Sequence, residues 1–274
     1  MKRFLMFVFV LFAFSPLAYG QVSSNRYIVP NIVVGGGYRL EVTITNVMSR
    51  PTQVGIQFGS RDGRMMDLDV TDLSWPEALS HHFTSAYNGG DIPAKGSSRI
   101  IVSLDSDTLV TGQLIVDLGK NPSGEDMSRV KVVLVYAPSG TVVNQAEAPL
   151  TQSSLGFGFS ASRLTSESQD KLETGIAISN INYNPANLTV KIRDSMGVEA
   201  ISCSIVIPPY NQISKFISEF GQLNPRCVLP NSWAGGLIEV TSDQPVAATT
   251  METILGVNGK FTFSTGRTFS IPVQ

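Results

Sequence analysis

His81 and His82 are the only histidines of this 274-residue chain, and they share the stretch Arg64 to Asp91 with Trp75, Phe83 and Tyr87. Histidine is the usual general base near neutral pH and a frequent metal ligand. Adjacent histidines, however, point to opposite faces of a strand and diverge by about 100° on a helix, so they form no two-ligand site alone. A metal would need Asp67, Asp69 or Asp72 folded back onto them. Exposed polar loop residues are the simpler reading. A serine hydrolase would need a nucleophile elbow, and no G-x-S-x-G is present. The carboxylates of Asp67 to Asp72 and of Asp105-Ser106-Asp107 resemble calcium-type oxygen clusters. They lack EF-hand spacing, and a solvated strand edge or turn explains both. Gly35-Gly36-Gly37 and Gly156-Phe157-Gly158 lack the helix that a phosphate loop opens into, and read as turn glycines. The expectation is a non-enzymatic protein with no metal and no cofactor.

Binding is the chemistry that remains. Trp75, His81, His82 and Tyr87 are the candidate ligand contacts, because aromatic and imidazole side chains supply area and orientation. The competing explanation is that these aromatics anchor the 64–91 segment to the fold. A protein or glycan partner fits the composition better than nucleic acid or anionic membrane. Twenty Lys and Arg face twenty-two Asp and Glu, giving a formal net charge of −2, and no basic cluster stands out. The leading reading is a binding, adhesion or structural module. The alternative is a carbohydrate-binding module using the aromatics of 64–91, and a third reading is an enzyme using His81 or His82.

Export is legible at the N-terminus. Lys2 and Arg3 precede the apolar run Phe4 to Phe14, Pro16 breaks it, and Ala18-Tyr19-Gly20 offers small residues to a signal peptidase. Residues 1–20 are therefore read as a signal peptide, with a secreted or periplasmic mature chain. The run is too short to span a bilayer, which needs roughly 20 apolar residues. No later segment is expected to insert into a membrane. In an oxidising compartment Cys203 and Cys227, the only two cysteines, should form a disulfide.

The elements that must carry these residues are strands. Tyr38, Leu40, Val42 and Ile44 alternate with Arg39, Glu41, Thr43 and Thr45, the period of a half-buried strand. Val54, Ile56 and Phe58 repeat the pattern, as do Ile100, Val102 and Leu104, and Leu114, Val116 and Leu118. Val130 to Tyr136 reads as a strand buried on both faces. Gly, Pro, Asn and Asp clusters separate these runs, which argues for a sandwich or barrel.

The second half repeats the first. Tyr38 to Gly63 lies over Leu172 to Gly197 without a gap, pairing Ile44 with Ile178, Asn46 with Asn180, Pro51 with Pro185 and Gly63 with Gly197. Inward positions keep phase, with Val42 on Ile176, Val54 on Leu188, Ile56 on Val190 and Phe58 on Ile192; a slip of one residue would destroy this. Further on, Ile92-Pro93 answers Ile207-Pro208, and Glu147 to Leu150 answers Ser270 to Val273. The 64–91 segment is an insert peculiar to the first copy, with a helix start expected at Ser74-Trp75-Pro76-Glu77. In the second copy Ile213, Phe216, Ile217 and Phe220 predict a short helix after Asn211. The Ser-, Gly- and Thr-rich join, Thr151 to Lys171, reads as a partly flexible linker. The expected organisation is signal peptide 1–20, sandwich module 21–150, then linker and second module 151–274.

Thr174 to Asn180, Pro185 to Val190 and Asp194 to Gly197 resemble the opening hairpin of a repeat of exported bacterial proteins. Ile207-Pro208-Pro209, Phe216 to Phe220, Gly236 to Val240 and Ser242 to Ala248 are similar to its remainder. The likeness covers residues 156–273 well and 27–150 faintly. It implies an all-β fold of two tandem immunoglobulin-like β-sandwich modules with short helical excursions. It implies no catalytic residues.

Overall fold

The computed structural model describes residues 25–73, 79–88, 91–118, 128–164, 171–256, 261–266 and 268–271. The segment read as a signal peptide lies outside these residues, as does the helix start expected at Ser74.

The chain is all-β. Its first half contains β1 (Asn25–Val34), β2 (Tyr38–Asn46), β3 (Val54–Ser60), β4 (Leu68–Asp72), β5 (Leu79–Thr84), β6 (Ala86–Asn88), β7 (Ser97–Ser103), β8 (Val110–Leu118), β9 (Ser128–Tyr136) and β10 (Asn144–Ala148). These make a four-stranded sheet, ordered β1-β8-β3-β6, and a six-stranded sheet, ordered β10-β9-β2-β7-β4-β5. Both sheets turn one face to a single apolar core. Ile56, Phe58 and Leu114 reach it from the first sheet, and Val42, Ile44, Ile100 and Val132 from the second. The alternation read from the sequence thus decides which face of each strand leaves water. Val130 to Tyr136 differs in detail: Val132, Leu134 and Val135 are buried, but Lys131 is exposed and Val133 only half-buried.

The second half contains β11 (Ser154–Leu164), β12 (Lys171–Ser179), β13 (Ala186–Asp194), β14 (Glu199–Ile207), β15 (Gln212–Phe216), a 3₁₀ turn (Ile217–Glu219), α1 (Phe220–Leu223), a second 3₁₀ turn (Pro225–Cys227), β16 (Gly235–Leu255), β17 (Phe261–Gly266) and β18 (Phe269–Ser270). Its sheet runs β14-β13-β16-β11-β12-β15. The 21-residue β16 holds it together, pairing with β11 and β13 along its first part and with β12 and β17 along its second. One strand therefore serves both layers around a second core that includes Phe159, Ile176, Ile178, Leu188, Val190 and Ile192.

Three expectations need correction. Within the segment read as a linker, Ser154–Leu164 forms β11, whose Phe157, Phe159 and Ala161 are buried; three core side chains outweigh a loop-like composition, and residues 165–170 lie outside the described residues. Gly156 and Gly158 therefore lie inside a strand rather than in a turn. A Cβ on Gly158 would stand 2.6 Å from the Phe269 ring, so close packing explains that glycine. The helix expected after Asn211 begins later. Gln212–Phe216 pairs with the edge of β12, Ile213 opposite Ile178, and helical backbone starts only at Ile217. The i, i+3, i+4 spacing there spans a strand end and a helical turn that cover the same core.

The turns of the two halves carry matching features. Gly63 and Gly197 both have φ of 81°, a left-handed turn position that suits glycine. Lys95 and Tyr210, the only non-glycine residues of positive φ among those described, both have φ of 58°. Buried Asn46 donates through its amide to the carbonyls of Arg50, Ile92 and Pro93. Buried Asn180 donates to those of Asn184, Ile207 and Pro208.

Cys203 and Cys227 are bridged, with Cα atoms 5.5 Å apart, a separation that a disulfide spans without backbone movement. The bond ties the helical excursion onto β14, and the Asn224 side chain caps the Ser204 carbonyl there at 2.7 Å. No helix of the described residues is long and apolar enough to cross a membrane.

Candidate functional site

The insert residues do not assemble a ligand site among the described residues. Trp75 lies outside them. The backbone of His81 and His82 is in β5, with His81 opposite Val70, and their side chains are not among those described. Tyr87 is buried at 7% exposure in the first core, and its hydroxyl donates to Asp72, itself 3% exposed. Burial first, then that hydrogen bond and the Asp72 charge, push the Tyr87 phenol well above its ordinary value. Tyr87 thus anchors the insert. The insert widens the fold: β4 pairs with β7, β5 with β4, and β6 with β3. Leu68, Val70 and Asp72 are buried on β4, whereas Asp67 is exposed and Asp69 half-buried, so the Asp72 carboxylate faces inward, away from the other two. Among the described residues no group of three or more His, Cys, Asp or Glu side chains could hold a metal ion.

A different aromatic pair stands at the surface. Tyr183, in the turn between β12 and β13, is 86% exposed. Tyr210, in the turn between β14 and β15, meets it edge to face, with ring centroids 5.1 Å apart and planes at 83°. The fold dictates this meeting. Asn180 binds both turns, through Asn184 on one side and Pro208 on the other. Asn182 extends the tie to the Pro245 carbonyl at 2.7 Å, and the Tyr210 amide donates to the Asn182 carbonyl at 3.3 Å. The left-handed backbone of Tyr210 belongs to the turn itself, since Lys95 shares it.

The first half supplies charge beside this pair. Arg26 on β1 forms a two-point ion pair with Asp117 on β8, at 2.9 and 3.3 Å. The Arg26 guanidinium is raised above its ordinary value, chiefly by that hydrogen bond, with smaller contributions from Asp117, Tyr183 and Tyr210 after the opposing effect of burial. The Tyr210 phenol is pushed up to about 12, by desolvation first and then by its hydrogen bond with Tyr183. The ledge offers one open aromatic face, a second ring standing against it, and a rim of exposed Asn184 with half-buried Asn182 and Asn211. Such a surface suits a ligand that is apolar on one face and hydroxylated around its edge.

Sequence reading passed over Tyr183 and Tyr210 because separate turns carry them and nothing local marks a pair. The available signal was an aromatic residue within an Asn/Pro-rich turn, Asn182-Tyr183-Asn184-Pro185, where burial is not expected.

No family model and no curated protein matches the chain. Among solved structures it is similar to a Pleurotus ostreatus lectin in its apo form, at 10% identity and a TM-score of 0.21, over 92% of this chain and 85% of that one. It is likewise similar to a lectin from Pleurotus ostreatus in complex with GalNAc, at 10% identity and a TM-score of 0.20, over 90% and 82%. Likeness at that level carries no argument about this chain.

Proposed function

We propose that this chain is an exported, non-enzymatic binding protein of two tandem immunoglobulin-like sandwich modules, and that it recognises a glycan on Tyr183 and Tyr210. The observation that carries the glycan reading is the 86% exposure of Tyr183 against a perpendicular Tyr210. A sugar ring presents C–H groups on one face and hydroxyls at its edge. Tyr183 stacks the first, and the Tyr210 hydroxyl, Asn184 and the Arg26–Asp117 pair reach the second. Support for tandem modules comes from the matching turns around Asn46 and Asn180; support for export comes from the N-terminal residues and the disulfide.

The test is a glycan array probed with the mature protein, followed by titration of the best sugar. Tyr183→Ala should weaken binding at least tenfold without moving the unfolding midpoint, because the side chain supports no core. Trp75→Ala tests the alternative placement in the insert. Binding lost with Trp75→Ala but kept with Tyr183→Ala would move the site to 64–91. An array blank for all sugars would leave a protein partner as the reading.

A further inference from the structure

A second candidate site lies where the two halves meet. β1 carries a bulge between Val29 and Ile32, which frees Pro30 and Asn31 from the ladder with β8. Asn31 turns to the second half, accepting from Gln212 at 3.5 Å and from Ser214 at 3.4 Å, while Ser179 donates to the Pro30 carbonyl at 3.4 Å. These are long bonds, and beside them the halves do not close. A cleft of about 330 Å³ remains, with Val33, Leu109 and Leu134 on one side and Ile176, Met251 and Phe263 on the other. Tyr38 forms part of its wall, stacked on Tyr136 at 4.5 Å and 6.4 Å from Phe263. The mouth is open, since Leu109 is 54% exposed.

We infer that this cleft binds a small, uncharged, apolar molecule of about two fused rings. Two observations choose that class. The volume is about twice that of the roughly 150 Å³ apolar cavity known to accept benzene, so two fused rings fit. The charged lining residues, Lys215 and Glu219, already pair with each other at 3.6 Å, and Lys215 also donates to Gln222 at 2.6 Å. No net charge is left to attract an ionic ligand.

The experiment titrates the mature protein with naphthalene and with 1-naphthalenesulfonate, by fluorescence at pH 7. The expected result is saturable one-to-one binding of naphthalene, tighter than that of the charged sulfonate by tenfold or more. Leu109→Arg, at an exposed position, should weaken naphthalene binding by tenfold or more while the unfolding midpoint stays unchanged. Tyr183→Ala should not change it, which keeps this site separate from the glycan ledge. Non-saturable binding, or binding untouched by Leu109→Arg, overturns the site. Equal affinity for the sulfonate overturns the uncharged class.

Discussion

Asn46 and Asn180 close their turns with the same set of hydrogen bonds. Asn46 donates at 2.8, 3.0 and 3.0 Å and accepts from the Met48 amide at 2.8 Å. Asn180 donates at 2.8, 3.1 and 3.1 Å and accepts from the Asn182 amide at 3.0 Å. Both residues are fully buried. Each amide therefore satisfies carbonyls that water cannot reach, and its removal leaves several polar groups unpaired. Asn46→Ala and Asn180→Ala should each destabilise by about 2–3 kcal/mol, read as a shift of the urea midpoint. A loss below about 0.5 kcal/mol, the level of an ordinary surface change, would show the bonds to be dispensable.

Separating Cys203 from Cys227 should cost about 3 kcal/mol, the chain-entropy value for a loop of this order. The double replacement by serine should also loosen the excursion that ends in Cys227, detectable as faster amide exchange at Phe220, which is buried beneath it. Peptide mapping without reductant should find the two cysteines in one linked fragment.

Stability should fall at both ends of the pH range, for different groups. Burial alone would raise the Glu41 carboxyl, but hydrogen bonds from Arg99 and Arg39, with their charges, outweigh it and hold Glu41 below its ordinary 4.5. A depressed acid contributes stability above its unfolded value and loses it as pH falls through the folded one. Tyr87 is shifted the other way, upward from 10.0. The folded state therefore disfavours its ionisation, and stability drops as pH climbs above about 10. Glu41→Gln should flatten the acid limb in urea titrations at varied pH, and Tyr87→Phe should flatten the alkaline one.

Deleting 64–91 should yield an aggregating protein. The insert contributes buried Met66, Leu68, Val70 and Tyr87 to the first core, and β4 covers the edge of β7. Without it an apolar core and an unpaired edge both face water. Light scattering after refolding would check this; a well-behaved monomer would show the insert to be an accessory to the fold.

Export predicts a mature N-terminus at Gln21. Mass spectrometry of the secreted product should find it, and a product retaining Phe4 to Phe14 would remove the basis for the localisation.

Alternation along the chain is enough to say which residues of a half-buried strand face inward. Val42 and Ile44 on β2, and Leu188 and Val190 on β13, alternate with polar neighbours, and all four are at most 1% exposed, because a period of two admits a single buried face. Composition is enough for the cysteine pairing, since two cysteines allow one bond. Long-range pairing settles what local pattern leaves open. Thr151 to Lys171 looks like a linker until β16 offers it a pairing edge, and Gln212–Phe216 looks helical until β12 does. The candidate sites belong wholly to that second class. Tyr183 meets Tyr210 because Asn180 draws two distant turns together, and the cleft exists because a bulge in β1 turns Asn31 toward the second half. Periodicity is a property of neighbours in the chain, whereas a site between turns or between halves is made by contacts that no local window contains.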